Sequence, residues 1–329
     1  MSIGRSALRV SSVMLLLISS LLTLVVLPGL MLLWLLRGSR SILPWTLRLV
    51  AVGSAVLAVF YVGTWQMLSV YGRYVLLGLF AVSAGVGAWR LRSRPLWTSP
   101  QGWGWIGPVG ALALLLATIP LHRAVLRADR LSEPPVALTF PMRGGPFYVL
   151  SAGSTPLMNP HMKVGDPRRT KWRGQLWGVD VVKLYPSGNR ARGLYPSALD
   201  RYAIFGEPIY APCAGRVVAA RDSLPDLPPP ATDVVHKAGN FVQIRCGAEA
   251  YVLLAHMKRG SVRVQPGDSV STDTWLGRVG NSGNTSEPHL HLHAQHAIGD
   301  STLLDAAPRP ITLDGSVPRR NELVHGSGS

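Results

Sequence analysis

The sequence predicts two structural classes in one chain: an N-terminal all-α membrane bundle and a C-terminal all-β domain of antiparallel strands. The first 130 residues contain twelve arginines, no lysine and a single acidic residue, Asp129, and long apolar runs separate the arginines. Beyond residue 134, short runs of β-branched and aromatic residues alternate with Gly and Pro. Long apolar runs are typical of membrane helices, whereas short runs between turn residues are typical of strands.

Four apolar stretches are long enough, or nearly so, to cross a bilayer, which takes about 20 apolar residues for roughly 30 Å of hydrocarbon. No charged residue lies between Arg9 and Arg37 or between Arg48 and Arg73. Trp and Tyr gather near the ends of the runs, as interfacial aromatic residues do. We therefore predict about four transmembrane helices, with Pro28 kinking the first; the stretches cover residues 10–36, 49–65, 74–89 and 105–122.

The arginines also predict the orientation of this membrane domain. With four spans, the loops near residues 37–48 and 90–94 share one face, and each contains three arginines. An excess of basic residues marks the cytoplasmic side, so the C-terminal domain is expected outside the cytoplasm. Small arginine clusters between apolar runs differ from the basic stripe of a nucleic-acid-binding protein, and no nucleic-acid partner is expected.

The predicted organisation is a membrane domain at residues 1–130, a linker at 131–144, a β-domain at 145–312 and a flexible tail at 313–329. A long Pro-rich loop, "DSLPDLPPPATDVVHKAGN", interrupts the β-domain. Cys213 and Cys246 lie on two different predicted strands, where they are either a disulfide or two buried thiols. The predicted strands are "PFYVL", "PIYAP", "GRVVAA", "NFVQIRC", "AYVLLAHM", "SVRV", "WLGRVG" and "HLHLHAQ".

The segment "NTSEPHLHLHAQH" contains four of the nine histidines in the chain. Alternate residues of a strand point to the same face, so His289, His291 and His293 share one. Imidazole is a good zinc ligand and carries protons near neutral pH. Three alternating histidines after a Gly/Asn/Ser turn therefore indicate a metal or catalytic site rather than three unrelated surface residues.

The stretches "FGEPIYAPCAGRVVAA", "YVLLAHMKRGSVRVQPGD" and "GNSGNTSEPHLHLHAQ" together resemble the lysostaphin-type zinc endopeptidases, which cut peptide bonds in peptidoglycan. The resemblance covers roughly residues 145–298 and depends on the order and spacing of all three stretches. It implies an open, barrel-like antiparallel sheet, a zinc cofactor, and peptidoglycan peptides as substrate.

The resemblance also implies residue roles. His291 corresponds to the second His of the family's H-x-H motif and Asp180 to its aspartate, and both are zinc ligands there. His256 and His289 correspond to the two histidines that handle the attacking water and the oxyanion. His293 lies beyond the motif; we expect it at the rim of the site, where its loss would leave zinc occupancy nearly unchanged. Asn240 and His293 are assigned as substrate-binding residues.

The chain departs from the family at one ligand. Four residues before the aspartate the family has a histidine, and this chain has Leu176. Catalytic zinc sites normally have three protein ligands plus water. His161, in "LMNPHMKVGD", is the best substitute because some relatives combine an upstream Asn-x-His with a Gln before the aspartate, as Gln175 is here. The alternative is an ordinary loop histidine, and His236 in the Pro-rich loop is expected to be solvated.

These observations predict a multi-pass protein of the bacterial inner membrane, with the lipid bilayer as a partner and a zinc metalloendopeptidase domain on the outer face. The alternative is a catalytically degenerate relative that binds peptidoglycan or regulates a partner hydrolase. A third reading, in which the helices carry the function and the β-domain is a sensor, has little support because the spans contain no buried acid.

Overall fold

Four long apolar helices and a nine-stranded sheet form two separate units, which divide between Leu126 and Arg127. The structure is a computed structural model that describes residues 13–99, 101–166, 171–297 and 304–326. All four helices are long and apolar enough to cross a membrane, in agreement with the predicted four spans. Their bounds are α1 (Val13–Leu36), α2 (Ile42–Val62), α3 (Gly72–Leu91) and α4 (Ile106–Leu126).

Helix α1 changes its hydrogen-bonding pattern just before Pro28, where the sequence predicts a kink. Proline has no N–H, so the carbonyl four residues earlier loses its α-helical partner. Immediately before Pro28, α1 contains a π-helical turn at Leu22–Val26. Single π-helical turns occur inside α-helices and are one of the recognised causes of a helix kink.

Small and hydroxylated residues join the helices. Ala51 and Ala55 of α2 are buried, and Ser54 Oγ lies 2.7 Å from Thr118 Oγ1 and 2.8 Å from His122 Nε2 of α4. Small residues let helix backbones approach, and hydroxyl hydrogen bonds add to packing where the surroundings are apolar.

The two arginine-rich loops lie at the same end of the helical unit, as predicted. The backbone N–H of Ile42 donates to Pro95 O at 3.0 Å, and that of Leu43 donates to Leu96 O at 3.0 Å. The prediction that Arg48 lies in a loop is wrong, because Arg48 lies inside α2. It is 8% exposed, and its Nη1 donates to the carbonyls of Trp34 and Arg37 at the end of α1.

The second unit is an antiparallel sheet, as predicted, and it remains open. Along the sheet the order is β13-β2-β3-β10-β7-β6-β5-β8, with β11 also pairing with β10. Two small pairs stand apart: β1 with β12, which is parallel, and β4 with β9. The strands are β1 (Val136–Leu138), β2 (Gly144–Ser151), β3 (Val179–Lys183), β4 (Pro208–Tyr210), β5 (Gly215–Arg221), β6 (Asn240–Cys246), β7 (Ala250–Met257), β8 (Ser269–Val270), β9 (Trp275–Arg278), β10 (Leu290–His296), β11 (Pro308–Arg309), β12 (Ile311–Leu313) and β13 (Leu323–Gly326).

Three details of the predicted organisation differ from the structure. The predicted linker contains β1, and the predicted tail contains β13, which pairs with β2 at the sheet edge. Residues 261–264, predicted as a strand, form a connection in which Ser261 Oγ donates to Lys258 O at 2.7 Å. Each difference depends on pairing with a partner distant in sequence, which a local pattern of β-branched residues does not contain.

The position of the two cysteines agrees with one of the two alternatives. Cys213 lies two residues before β5, and Cys246 is the last residue of β6. Their Cα atoms are 5.9 Å apart, and a disulfide joins them. This spacing is within the range that disulfide geometry requires.

The core fills one face of the main sheet and determines where the functional side chains point. On β10, Leu290, Leu292 and Ala294 belong to this core and are at most 1% exposed. Successive side chains of a strand point to opposite faces, so the histidines between them lie on the other face.

Candidate metal centre

Three neighbouring strands bring the predicted site residues together. His291 on β10 is the direct cross-strand partner of Asp180 on β3 and, on its other side, of Ala255 on β7. His256 follows Ala255 on β7. Cross-strand partners have Cβ atoms only about 5 Å apart, so strand register alone places Asp180, His291 and His256 at one point of the sheet.

His161 reaches the same point from a turn rather than from a strand. It lies in a 3₁₀-helical segment, Pro160–Gly165, and its Nε2 is 2.9 Å from Asp180 Oδ2. On the other carboxylate oxygen, His291 Nδ1 is 2.8 Å from Oδ1. The two histidines therefore approach Asp180 on separate oxygens, and their rings meet edge to face at 4.8 Å.

Asn159 holds the turn that carries His161. Its side chain is fully buried: Oδ1 accepts from the backbone N–H of His161 at 3.1 Å, and Nδ2 donates to Gly178 O at 3.0 Å. The first contact caps the 3₁₀ turn, and the second ties that turn to the residue two positions before Asp180. Sequence reasoning did not assign Asn159 a role, although an Asn-Pro pair at the start of a turn was a usable signal.

Leu176, which replaces the family's histidine, also supports this turn. A Cβ placed on Gly165, at the end of the turn, would lie 2.7 Å from Leu176 Cδ1. The leucine therefore packs directly against the backbone of the segment that carries His161. Leu176, at the position where the family has a histidine, thus supports by apolar packing the turn that carries His161, the candidate replacement ligand.

Gly178 leaves room for the two histidine rings. A Cβ at this position would lie 2.7 Å from His291 Cε1 and 3.0 Å from His161 Cδ2. Contacts this short do not occur between real side-chain atoms, so any larger residue would push the rings away from Asp180.

The donor set of His161, Asp180 and His291 suits a zinc ion. Their candidate ligand atoms all lie within 4.8 Å of one another. Two imidazole nitrogens and one carboxylate oxygen are typical catalytic zinc ligands. The residues present therefore fit the metal that the family resemblance implies.

Burial and charge act in opposite directions on the ligand pKa values. Burial by itself would raise the pKa of Asp180, but the neighbouring His161 and His289 and the hydrogen bonds from His161 and His291 leave it well below its ordinary value. Burial would lower the pKa of His161, but the Asp180 carboxylate outweighs it and raises that pKa. Asp180 is thus an anion, the form that binds a cation.

His256 is held in one tautomer beside the donor set. Its Nδ1 lies 2.9 Å from Ser282 O, and a carbonyl only accepts, so Nδ1 carries the hydrogen. Burial lowers the pKa of His256 well below its ordinary value, and the nearby His289 and His291 lower it further. The ring is therefore neutral, with Nε2 free to accept a proton. Its backbone has a φ of +62°, a strained conformation that is common at functional sites.

His289 is anchored in the same way. Its Nδ1 lies 2.9 Å from Glu287 O and 3.1 Å from Thr285 Oγ1, which leaves Nε2 facing Asp180 Oδ1 at 3.5 Å. The rings of His256 and His289 have centroids 4.9 Å apart. The two predicted catalytic histidines therefore lie side by side, with Nε2 in each available for proton transfer.

A buried ion pair fixes the turn before His289, and sequence reasoning missed it. Arg190 is 1% exposed, and its Nε donates to Glu287 Oε2 at 2.8 Å. Tyr195 OH donates to Ser286 O at 2.6 Å in the same turn. A buried arginine must be paired, so residues 190–195 are joined to the turn from which His289 projects. Nothing in the sequence spacing indicates that these two segments meet.

His293 is not at the rim, and the prediction that it contacts substrate is wrong. Its side chain is fully buried, and its Nδ1 lies 2.9 Å from His291 Nε2. Burial lowers the pKa of His293 well below its ordinary value, so the ring is neutral. Neighbouring segments cover β10 beyond His291, so His293, the third of the alternating histidines, is buried next to His291.

The assignment of Asn240 as a substrate-binding residue is also wrong. Asn240 has no exposed surface, and its Nδ2 donates to Leu224 O at 2.8 Å and Met257 O at 3.1 Å. Its backbone N–H donates to Ser282 Oγ at 2.8 Å. It ties the start of the Pro-rich loop to the residue after His256 and to the turn before β10. His236 is half-exposed and pairs with Asp233, as expected for a solvated residue.

The histidines open into a cavity of about 280 Å³. His161, Asp180, His256, His289 and His291 form its polar wall. The remaining wall includes one cationic side chain, Lys237. It also includes four small or apolar side chains: Ala238, Leu253, Ala255 and Leu304. The arrangement places a metal donor set beside two further histidines, His256 and His289, on the wall of one cavity.

Comparison with known proteins gives one family match. Residues 197–302 match the sequence model of Peptidase family M23. The matched region includes His256, His289 and His291, whereas Asp180 and His161 precede it. No curated protein matches the sequence.

Three solved structures illustrate the structural likeness. The catalytic domain of the antimicrobial peptidase lysostaphin from Staphylococcus simulans has 20% identity and a TM-score of 0.27, covering 40% of this chain and 74% of that one. The catalytic domain of a mutant of the prophage-encoded M23 protein EnpA from Enterococcus faecalis has 21% identity and a TM-score of 0.30, covering 49% and 90%. A zinc-containing peptidase from Vibrio cholerae has 18% identity and a TM-score of 0.23, covering 36% and 44%.

Proposed function

We propose that residues 127–329 form a zinc endopeptidase that cleaves peptide bonds in peptidoglycan. Peptidases of family M23 are metallopeptidases, and the single observation that carries the proposal for this chain is the convergence of His161 and His291 on Asp180. His161 supplies the third ligand that Leu176 does not. The main reason to regard the chain as a non-catalytic relative is a shortage of ligands, and this convergence supports the enzymatic alternative.

The chemistry divides between the metal and the chain. Zinc makes water acidic enough to ionise near neutral pH and polarises a carbonyl. His256, neutral and unprotonated at Nε2, accepts the proton of the attacking water. The proton then passes to the nitrogen of the leaving amine as the peptide bond breaks. His289, when its Nε2 carries a hydrogen, donates a hydrogen bond to the carbonyl oxygen on which negative charge develops. Proton transfer and oxyanion stabilisation by positioned groups are each typically worth 10²-fold or more in rate.

We further propose that α1 to α4 anchor this peptidase in the bacterial inner membrane with the catalytic unit on the outer face. The four helices have the length and hydropathy for spanning. The two arginine-rich loops lie at one end of the helical unit, which favours that end as the cytoplasmic one. Peptidoglycan is outside the cytoplasm, so a wall substrate requires the same orientation.

Zinc content and peptide cleavage test the enzymatic part. The full-length protein, purified in detergent and dialysed without chelator, is expected to hold one equivalent of zinc by elemental analysis. It is expected to release peptide fragments from purified peptidoglycan, with the release abolished by a chelator. Zinc binding without cleavage would favour the regulatory alternative, and no zinc would contradict both the cofactor and the enzyme.

Reporter fusions test the membrane part. Alkaline phosphatase, which is active only outside the cytoplasm, fused after Ser329 is expected to be active, and a cytoplasmic fluorescent reporter at the same place is expected to be dark. The reverse pattern would overturn the proposed orientation without affecting the zinc site.

A further inference from the structure

One end of the helical unit carries a concentrated positive charge with no internal counter-charge. The loop after α1 and the loop after α3 meet there through Ile42, Leu43 and a hydrogen bond from Thr98 Oγ1 to Ser41 Oγ at 3.2 Å. Residues 1–128 contain no Asp or Glu, so none of the arginines at this end can form an ion pair within the unit. These exposed arginines, called here the arginine face, are Arg37, Arg40, Arg90, Arg92 and Arg94.

Four of the five arginines surround a single cavity of about 370 Å³: Arg37, Arg90, Arg92 and Arg94. Its wall also includes three buried apolar side chains that are at most 6% exposed: Leu35, Trp45 and Leu91. Gly87 makes this wall possible, because a Cβ there would lie 2.5 Å from the Trp45 ring. The volume lies in the range of pockets for small ligands. Cations at the mouth and an apolar wall match a ligand that is anionic at one end and apolar at the other.

A second cavity, of about 290 Å³, shares Gly38 and Ser39 with the first and is lined by Arg40 and Arg48. Arg48 Nη1 is occupied by two carbonyls, but its Nε is buried and has no hydrogen-bond partner within the described residues 13–99 and 101–126. A buried guanidinium without an anion is costly. Arg48, whose guanidinium also lies 5.2 Å from the Trp34 ring centroid, therefore adds a buried positive charge beside the second cavity.

Arginines that serve only to orient a membrane protein need no cavity, because water and bulk counter-ions solvate them. Here they surround a concave site between helix ends, which the proposed membrane insertion places at the level of the headgroups. Guanidinium groups bind phosphate oxygens through paired N–H donors, and basic pockets between transmembrane helices recognise lipid headgroups.

We propose that the arginine face binds the phosphate of an anionic phospholipid, with the lipid's acyl chains continuing along the apolar wall of the cavity between α1 and α3. The proposal rests on the proposed membrane insertion of the helices. It assigns the helical unit a binding function of its own, separate from the zinc site of the second unit.

Native mass spectrometry of the full-length protein tests this. The protein is released from detergent micelles after incubation with equal amounts of phosphatidylglycerol and phosphatidylcholine. Wild type is expected to retain phosphatidylglycerol in preference. The double variant Arg37→Gln/Arg94→Gln is expected to lose that preference by about tenfold or more, because each basic residue near an anionic headgroup is worth roughly 1 kcal/mol.

A matched control removes two charges elsewhere. Arg123 lies in the last turn of α4, about 26 Å along that helix from Ile106 at 1.5 Å per residue. The variant Arg123→Gln/Arg127→Gln is expected to retain phosphatidylglycerol like wild type. Equal losses in the two double variants, or equal retention of both lipids by wild type, would overturn the proposal.

Two further measurements separate the sources of failure. Excess glycerol phosphate, which has the headgroup chemistry without acyl chains, is expected not to displace the retained lipid; full displacement would overturn a lipid as the occupant. Flotation with phosphatidylcholine vesicles reports insertion alone. A protein that floats but shows no preference for phosphatidylglycerol contradicts only the lipid site, whereas one that does not float contradicts the membrane anchor.

Discussion

Two parts of the second unit supply histidines to the same carboxylate in different ways. β10 presents His291 to Asp180 through strand register, with β3 and β7 hydrogen-bonded on either side. The 3₁₀ turn Pro160–Gly165 presents His161 through one buried side chain, Asn159, and one packing contact, Leu176 against Gly165. The strand's histidine is held by many backbone hydrogen bonds, whereas the turn's histidine depends on a few side chains.

This difference indicates how a metal site can exchange one ligand without losing the others. The position that differs from the family, Leu176, lies in the 3₁₀ segment Arg173–Trp177, whereas the two candidate ligands on strands, Asp180 and His291, are retained. A turn beside the sheet can move a histidine into place if its backbone is capped and packed. We therefore predict that loss of either histidine weakens metal binding to a similar extent. Substitution of a supporting residue is expected to weaken metal binding more when it supports the turn of His161 than when it supports His291 on β10.

The largest expected effect is the loss of a ligand. His291→Ala and His161→Ala are each expected to lower zinc affinity by orders of magnitude, because structural zinc sites are worth about 10 kcal/mol or more over all their ligands. Competition with a zinc-binding dye measures this. His236→Ala, an exposed histidine paired with Asp233, is the control and is expected to bind zinc like wild type. Full zinc affinity in His161→Ala would show that the turn does not contribute a ligand.

The next effect separates catalysis from metal binding. His256→Ala is expected to keep its zinc and to lose at least about 10²-fold in peptide cleavage, because it removes the neutral proton acceptor but no metal ligand. Elemental analysis and cleavage assays on the same preparation measure the two quantities. Loss of zinc together with activity would instead make His256 part of the metal site.

A smaller effect is expected at the support of the turn. Asn159→Ala removes the cap on His161 and the bond to Gly178 O, and a buried partner left unsatisfied costs about 1–3 kcal/mol. Zinc affinity is therefore expected to fall about 10- to 100-fold. Asn159→Asp keeps the acceptor for the His161 N–H and should lose less. An unchanged affinity in Asn159→Ala would mean that the turn is held by other contacts.

The smallest effect is expected behind the strand ligand. His293→Leu removes the partner of His291 Nε2, and partners of this kind typically tune metal affinity by 10- to 100-fold. Because β10 still fixes His291, the lower end, about tenfold, is expected. His293→Gln keeps an acceptor and should lose less. A rim residue would give no change in zinc affinity but an altered KM, and that result would restore the original prediction.

The sequence alone was sufficient for whatever depends on local pattern. Apolar run length predicted the four helices, and alternation predicted that His289, His291 and His293 share a face. The motifs around Asp180 and His256 identified the family-like positions because those residues lie on strands whose neighbours have a regular pattern. These properties repeat every two or 3.6 residues, and a linear sequence displays them directly.

Only the tertiary structure decided what depends on contacts between distant segments. The burial of Asn240 and His293 follows from what covers their strands, and the pairing of Arg190 with Glu287 joins segments 97 residues apart. His161 was a candidate from the sequence, but its approach to Asp180 requires the Asn159 cap, the Leu176 packing and the missing side chain of Gly178. Such contacts form when the folded chain brings these side chains together, and no spacing along the sequence encodes them.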